Sequence, residues 1–222
     1  MKLQILLLGI LCFSIFAFVP IAKKKIIFFG DSITEAGVTL KGYISVIGER
    51  LKQTGRQDQY ELIGAGISGN KVTNLFLRLE KDVLEKEPAA VVIWIGVNDV
   101  WHKSGGTGTD IYTFEKFYEL IIKKLQEKNI KVVMCTPAAI GEKKEGANAQ
   151  DKELDQYSNI IRKLATTYNC PLVDLRKSFT DYDSLNNTEN KSNGILTADG
   201  VHLNDVGNQF VAEEMLKVLV GK

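Results

Sequence analysis

A serine, a histidine and an aspartate stand where they could act together as a nucleophile, a base and an orienting carboxylate. Ser32 follows the apolar run Lys25–Phe29 in the sequence Gly-Asp-Ser, which places it at the carboxyl end of a predicted first strand. His202 is one of only two histidines in the chain, and Asp199 precedes it by three residues. A nucleophilic serine needs such a base, and the base needs such a carboxylate. The pattern therefore indicates nucleophilic catalysis.

Each of these residues also has an ordinary structural interpretation. A serine after Gly-Asp is common in turns and at helix starts, so Ser32 alone does not establish an enzyme. Asp199 and His202 could equally form a surface pair without a catalytic role. The second histidine, His102, follows Trp101 in a predicted loop and has no partner at a fixed spacing. We predict that His102 forms a wall of the site and is not the base.

Hydrolysis at a serine also needs donors for the negative charge that develops on the substrate oxygen. Asn98 follows the apolar run Ala89–Ile95, so its amide can point over the edge of the sheet. Gly69 precedes a predicted helix, where a bare backbone N–H can face a ligand. Together with the N–H of Ser32, these groups form the predicted oxyanion hole.

Short apolar runs alternate with amphipathic helical patterns, which is typical of βαβ units and a parallel sheet. The predicted strands are Lys25–Phe29, Tyr60–Ile63, Ala89–Ile95, Ile130–Cys135 and Leu172–Asp174. Two of the predicted helices run from about Ile111 to Lys128 and from about Asp205 to Val220, the second with Asn204 or Asp205 as its N-cap. Long polar connections at 96–110, 137–150 and 179–198 are expected at the carboxyl edge of the sheet.

Four short motifs taken together resemble the sequence blocks of the SGNH (GDSL-type) hydrolases. They are Gly30-Asp31-Ser32, Gly69, Gly96-x-Asn98-Asp99 and Asp199-x-x-His202, and the resemblance extends from about Lys24 to Leu219. It implies a flavodoxin-like three-layer α/β/α sandwich with a five-stranded parallel sheet that hydrolyses esters or thioesters.

The resemblance also implies a role for each matched residue. Ser32 would be the nucleophile, His202 the base and Asp199 its orienter, and Ser32, Gly69 and Asn98 would supply the oxyanion donors. The sequence departs from the family pattern at Ile33, which replaces a leucine, and at Gly64, where many members have asparagine.

The first residues differ in kind from the rest of the chain. Lys2 precedes an apolar stretch from Leu3 to Ile21, which is typical of an export signal and is also long enough for an uncleaved membrane anchor. Cys12 invites a lipoprotein interpretation, but the bulky Leu11 before it argues against one. We predict a signal peptide or N-terminal membrane anchor at 1–22, an SGNH hydrolase domain at 23–222, and a secreted, periplasmic or cell-envelope location, with membrane association possible through 1–22.

The composition limits the partners. With 28 basic and 27 acidic residues the net charge is +1, and the signs are interspersed, so nucleic acid is not an expected partner. The sequence Gly64-x-Gly66-x-x-Gly69 matches the glycine fingerprint of dinucleotide-binding proteins. That fingerprint belongs in the first βα unit, whereas this one lies in the second. The acidic residue that it needs at the tip of the next strand would fall near Glu87, before that strand. We therefore expect no cofactor and no metal.

Cys135 and Cys170 are predicted to stay unpaired. On neighbouring parallel strands their sulfurs would lie roughly 13 Å apart at ~3.3 Å per residue, which is too far for a disulfide. We expect both cysteines to be small, buried, apolar side chains of the core.

These observations predict a serine ester hydrolase that acts through an acyl-enzyme on Ser32. Acetyl or short-chain esters, including those on saccharides, are the preferred substrates because no apolar lid is evident and Trp101 and His102 suggest an open rim. A lysophospholipase, a thioesterase and an acyltransferase remain alternatives for the same site. A non-catalytic binding module is the alternative of a different class.

Overall fold

The fold alternates strands and helices along the chain, as predicted. The structure, a computed structural model, describes residues 22–220, so the predictions made for residues 1–21 lie outside it. The strands are β1 (Lys24–Gly30), β2 (Tyr60–Gly66), β3 (Ala90–Trp94), β4 (Lys131–Cys135) and β5 (Leu172–Val173). The helices are α1 (Ser32–Ala36), α2 (Tyr43–Gln53), α3 (Val72–Asp82), α4 (Val97–Trp101), α5 (Ile111–Glu127), α6 (Asp151–Thr167), α7 (Leu175–Asn186) and α8 (Asp205–Leu219).

The strands form one parallel sheet of five strands in the order β2-β1-β3-β4-β5. Helices α3, α5 and α6 cover one face of the sheet and α2, α7 and α8 cover the other. The predicted three-layer α/β/α fold is confirmed. Since β1 lies between β2 and β3, the strand order reverses at β1, and sheets of this kind bind ligands at the carboxyl ends of the strands beside such a point.

Strand β2 is longer than the sequence pattern predicted. It continues past Ile63 to Gly66, which pairs with Gly30 at the end of β1. A Cβ on Gly66 would lie 2.0 Å from the backbone nitrogen of Glu35 in α1. The absence of a side chain therefore lets the helix that begins at Ser32 pack directly against the end of β2.

Apolar side chains fill both sides of the sheet. Phe28 and Ile27 of β1 are fully buried on opposite faces, as expected for a strand covered by helices on both sides. Cys135 and Cys170 are buried free thiols, as predicted. Within residues 22–220, no helix combines the length and apolar character needed to cross a membrane.

Candidate active site

The structure brings Ser32, His202 and Asp199 into one hydrogen-bonded chain. The Oγ of Ser32 lies 3.0 Å from Nε2 of His202, although the two residues are 170 positions apart. The other ring nitrogen, Nδ1, lies 2.7 Å from Oδ2 of Asp199. This is the order of hydroxyl, imidazole and carboxylate that activates a serine.

Asp199 holds its own loop as well as the imidazole. Its Oδ1 accepts hydrogen bonds from the backbone N–H groups of Val201, at 2.9 Å, and of His202, at 2.8 Å. Partial burial raises the pKa of Asp199, but the hydrogen bonds from His202 outweigh that effect, so its pKa is below the usual value. The carboxylate is therefore charged at neutral pH and can favour the Nδ1–H tautomer of His202.

The end of β1 presents Ser32 on a tight turn. A side chain on Gly30 would lie 2.5 Å from the carbonyl oxygen of Trp94, so only glycine fits before the turn. Asp31 then caps α1 by accepting a hydrogen bond from the N–H of Ile33 at 3.0 Å. Burial raises the pKa of Asp31 to about 7. Ser32 is the first residue of α1, where backbone N–H groups have no partner within the helix.

The two other predicted oxyanion donors lie in adjoining loops. Gly69 has a φ of +74° in the loop after β2, and the space around its Cα is open. Asn98 is in the first turn of α4, and its Nδ2 donates a hydrogen bond to the backbone oxygen of Asn70 at 3.1 Å. An amide nitrogen carries two hydrogens, so one N–H of Asn98 remains for another acceptor.

The loop that carries Gly69 is bound to the end of β1 and to α1. The N–H of Ile67 donates to the oxygen of Gly30 at 3.3 Å, and the N–H of Ser68 donates to Oε2 of Glu35 at 2.8 Å. These contacts keep the loop beside the turn that presents Ser32.

Arg78 supports this region and was missed by the sequence reasoning. From α3, its guanidinium donates to the oxygen of Gly30 at 2.7 Å and to Oδ1 of Asn70 at 2.8 Å, while lying 4.4 Å above the ring of Phe29. It also pairs with Asp82 at 2.7 Å. In the sequence, the role of Arg78 is marked only by the i,i+4 spacing to Asp82, and that spacing is typical of an ordinary ion pair on a helix surface.

Asp99 joins α4 to the start of α3. Its side chain is fully buried and accepts hydrogen bonds from the N–H of Val72 at 3.2 and 3.3 Å. Burial raises the pKa of Asp99 to about 6, against an opposing effect of the hydrogen bond from Thr109. The contact fixes the helix that follows the Gly69 loop relative to the helix that carries Asn98.

Aromatic side chains border the imidazole. The Trp101 ring lies edge to face with the ring of His202, with centroids 6.2 Å apart, and 6.0 Å from the ring of His102. Partial burial and the charge of Lys71 lower the pKa of His102. His202, and not His102, contacts Ser32.

The glycines that resembled a dinucleotide fingerprint do not form a phosphate-binding loop. Gly64 and Gly66 lie within β2, and Glu87 lies in the turn before β3. Among residues 22–220, no group of three or more His, Cys, Asp or Glu side chains is arranged to hold a metal ion.

Comparison with known proteins identifies the family of the chain. The model of the GDSL-like lipase/acylhydrolase family matches residues 28–210. The chain belongs to this family. It is accordingly a hydrolase of carboxylic esters, and the predicted family is confirmed.

Individual relatives share both fold and sequence. A solved structure of an acetyl xylan esterase, AlAXEase, is 61% identical, covers 88% of this chain and 100% of its own, and has a TM-score of 0.87. An acetylxylan esterase from Geobacillus stearothermophilus is 27% identical over 87% of this chain and 93% of its own length. A protein of Bacillus subtilis (strain 168), named as the uncharacterized lipoprotein YqeF, is 25% identical over 72% of this chain and 74% of its own.

Proposed function

We propose that this chain is a serine esterase that removes acetyl or other short acyl groups from saccharides, with Ser32, His202 and Asp199 as its catalytic residues. The observation that carries the proposal is the hydrogen-bonded chain with distances of 3.0 Å and 2.7 Å. The family match supports ester hydrolysis independently of that geometry.

The reaction follows from the positions of the atoms. The Oγ of Ser32 attacks the acyl carbonyl carbon while Nε2 of His202 takes the hydroxyl proton. Asp199 accepts a hydrogen bond from Nδ1–H and stabilises the imidazolium that forms. The intermediate then collapses, His202 gives its proton to the departing sugar oxygen, and the acyl group stays on Ser32. A water molecule, deprotonated by His202, then attacks the acyl carbon. The second intermediate collapses as the bond between that carbon and the Oγ of Ser32 breaks, His202 returns the proton to Oγ, and the acid leaves.

The oxyanion is held by the N–H of Ser32, the N–H of Gly69 and the side-chain amide of Asn98 in this proposal. Gly69 is exposed, which leaves its backbone accessible to a ligand. Asn98 is buried and its amide is fixed by the bond to Asn70, so it needs little rearrangement during the reaction.

The saccharide part of the proposal is supported by the relatives. Both the 61% identical solved structure and the Geobacillus protein are named as esterases of acetylated xylan. The half-buried rim at Trp101 and His102 beside the imidazole offers an aromatic and polar surface to a sugar.

A labelling experiment tests the nucleophile. A fluorophosphonate probe should label the wild type and not Ser32→Ala, while Ser184→Ala, a change on the exposed surface of α7, should be labelled like the wild type. Labelling that persists in Ser32→Ala would place the nucleophile elsewhere.

A substrate panel tests the acyl group and the alcohol. Acetylated xylooligosaccharides should be hydrolysed with a higher kcat/KM than lysophospholipids or long-chain p-nitrophenyl esters. Release of acetate when no free sugar acceptor is present indicates hydrolysis, because acyl transfer would need a sugar hydroxyl to accept the acetyl group. Complete inactivity of the folded protein toward all of these esters would instead favour a binding module.

We also propose that the chain is exported, with residues 1–22 as a signal peptide or anchor and the hydrolase domain at 23–222. The apolar stretch after Lys2 and the similarity to a protein named as a lipoprotein support this location. Cell fractionation of the full chain and of a chain starting at residue 23 tests it, since only the full chain should leave the cytoplasm.

A further inference from the structure

Glu142 is a buried carboxylate whose hydrogen-bond partners are concentrated on one segment of backbone. It lies in the connection between β4 and α6, and its exposure is 0%. Its Oε2 accepts from the N–H of Ile195 at 2.8 Å, and its Oε1 accepts from the N–H groups of Leu196 at 2.7 Å and Thr197 at 2.6 Å. One side chain therefore binds three consecutive backbone donors on a distant loop.

That segment leads directly into the residues of the proposed active site. The N–H of Ala198 donates to the oxygen of His202 at 2.8 Å and closes the turn that contains Asp199. Asn204, on the other side of the turn, donates from its backbone to the oxygen of Leu196 at 3.0 Å. The backbone before Asp199 is thus fixed through its N–H groups by Glu142 and through a carbonyl group by Asn204.

Glu142 is itself held in place by the loop that it binds. Its N–H donates to the oxygen of Ser192 at 3.0 Å, and its backbone oxygen accepts from Nδ2 of the buried Asn187 at 2.7 Å. The preceding residue, Gly141, donates to the oxygen of Gly200 at 2.8 Å, between Asp199 and His202. The two loops form one hydrogen-bonded unit.

A buried carboxylate is costly unless its charge is compensated. Of the salt bridges among residues 22–220, none involves Glu142, so the three N–H groups are its compensation. A glutamine could offer only one oxygen and would direct an NH₂ group at one of these donors. The arrangement therefore requires a carboxylate and ties it to this segment.

We propose that Glu142 is a positioning residue for the esterase reaction, which holds 195–197 so that Asp199 and His202 stay aligned with Ser32. This inference rests on the proposed roles of those three residues. Because Glu142 is buried beneath the loop, it acts on the position of the imidazole and not on the substrate.

The expected effect is on turnover. A displacement of about 1 Å at a catalytic group can reduce the rate by about 10²-fold, so Glu142→Gln should lower kcat by about 10- to 100-fold. KM should change by less than about threefold, because the contacts with the substrate remain. Asp183→Asn is the matched control, because Asp183 is also a buried acid but makes no hydrogen bond to 195–197. Asp183 lies near Glu142: burial raises the pKa of Asp183 most, and the charge of Glu142 raises it further.

Two spectroscopic measurements separate positioning from a general loss of stability. In the wild type, the N–H groups of 195–197 should exchange with solvent slowly, as in a buried helix. In folded Glu142→Gln, the downfield proton resonance of His202 Nδ1–H should weaken or vanish, and in Asp183→Asn it should persist.

The proposal is overturned if Glu142→Gln keeps kcat within about threefold of the wild type, or if it retains the downfield resonance. Rapid exchange of 195–197 in the wild type overturns it too, even if Glu142→Gln does not fold. If a fluorophosphonate labels a residue other than Ser32, the proposed function fails, yet the resonance and the exchange rates still decide whether Glu142 positions this loop.

Discussion

Replacing Asp199 by asparagine changes the chemistry of the proposed triad with little change in its shape. The asparagine oxygen can keep the hydrogen bonds from the N–H groups of Val201 and His202, now at 2.9 and 2.8 Å. The amide NH₂ then faces Nδ1 of His202, 2.7 Å from the former carboxylate oxygen. It donates where the carboxylate accepted, so His202 takes the Nε2–H tautomer and can no longer accept the proton of Ser32.

The size of the effect follows from this tautomer and from solvent access. In serine proteases the same exchange lowers kcat by about 10⁴. Here the side chains of His202 and Asp199 are 40% and 50% exposed, so water can compete with the amide and restore part of the productive tautomer. We expect a loss of about 10²–10⁴ in kcat, or about 3–5 kcal/mol of transition-state stabilisation.

Steady-state hydrolysis of p-nitrophenyl acetate and of acetylated xylooligosaccharides measures the loss. Asp205→Asn is the control, because Asp205 is an exposed carboxylate near the same turn that pairs with Lys41. It should leave kcat unchanged. If Asp199→Asn and Asp205→Asn turn over at similar rates, Asp199 does not orient the base and the proposed mechanism is wrong.

Further predictions concern the groups around the triad. Asn98→Ala should lower kcat by about 10²–10³ if its amide binds the oxyanion, and a normal kcat in single-turnover and steady-state assays would remove it from the mechanism. Arg78→Ala should lower the free energy of unfolding, measured by urea titration, by about 2–4 kcal/mol. It removes the charged donors that lie 2.7 Å from the oxygen of Gly30 and 2.8 Å from Oδ1 of Asn70, and an unchanged urea midpoint would contradict this expectation. Burial, with the charge of Glu142, raises the pKa of Asp183 to about 7 from an ordinary 3.8, so the folded state binds the extra proton and stability falls as pH rises between these values. Asp183→Asn should therefore raise Tm more at pH about 8 than at about 5, and equal shifts at both would refute the assignment.

The sequence predicts the sheet from short-range patterns, and it predicts the meeting of Ser32 with His202 from the resemblance of its motifs to the SGNH sequence blocks. Apolar runs mark the strands, and the carboxyl ends of parallel strands meet at one edge. The predicted β2 ends too early, at Ile63, because Gly64 and Gly66 are unusual in strands. Gly66 is required here by the close approach of α1, and a Cβ on Gly64 would lie 2.4 Å from the side chain of Val38.

Two supports of the site could not be predicted in the same way. Arg78 and Glu142 bind backbone groups that lie 48 and 53–55 residues away in sequence. Every residue other than proline carries the same backbone N–H and C=O, so the amino-acid types give no sign of which ones a distant side chain will bind. Only the folded chain shows these partners.

The proposed nucleophile and the proposed base lie far apart in the sequence and are joined by a contact across 170 residues. A ribosome that has completed α1 has made Ser32, but it has still to make His202, 170 positions after that serine. If these residues act as proposed, nascent and truncated chains that lack His202 have no esterase activity at this centre. Under the proposed mechanism, ester cleavage begins only after His202 has been made and has folded against the turn that carries Ser32.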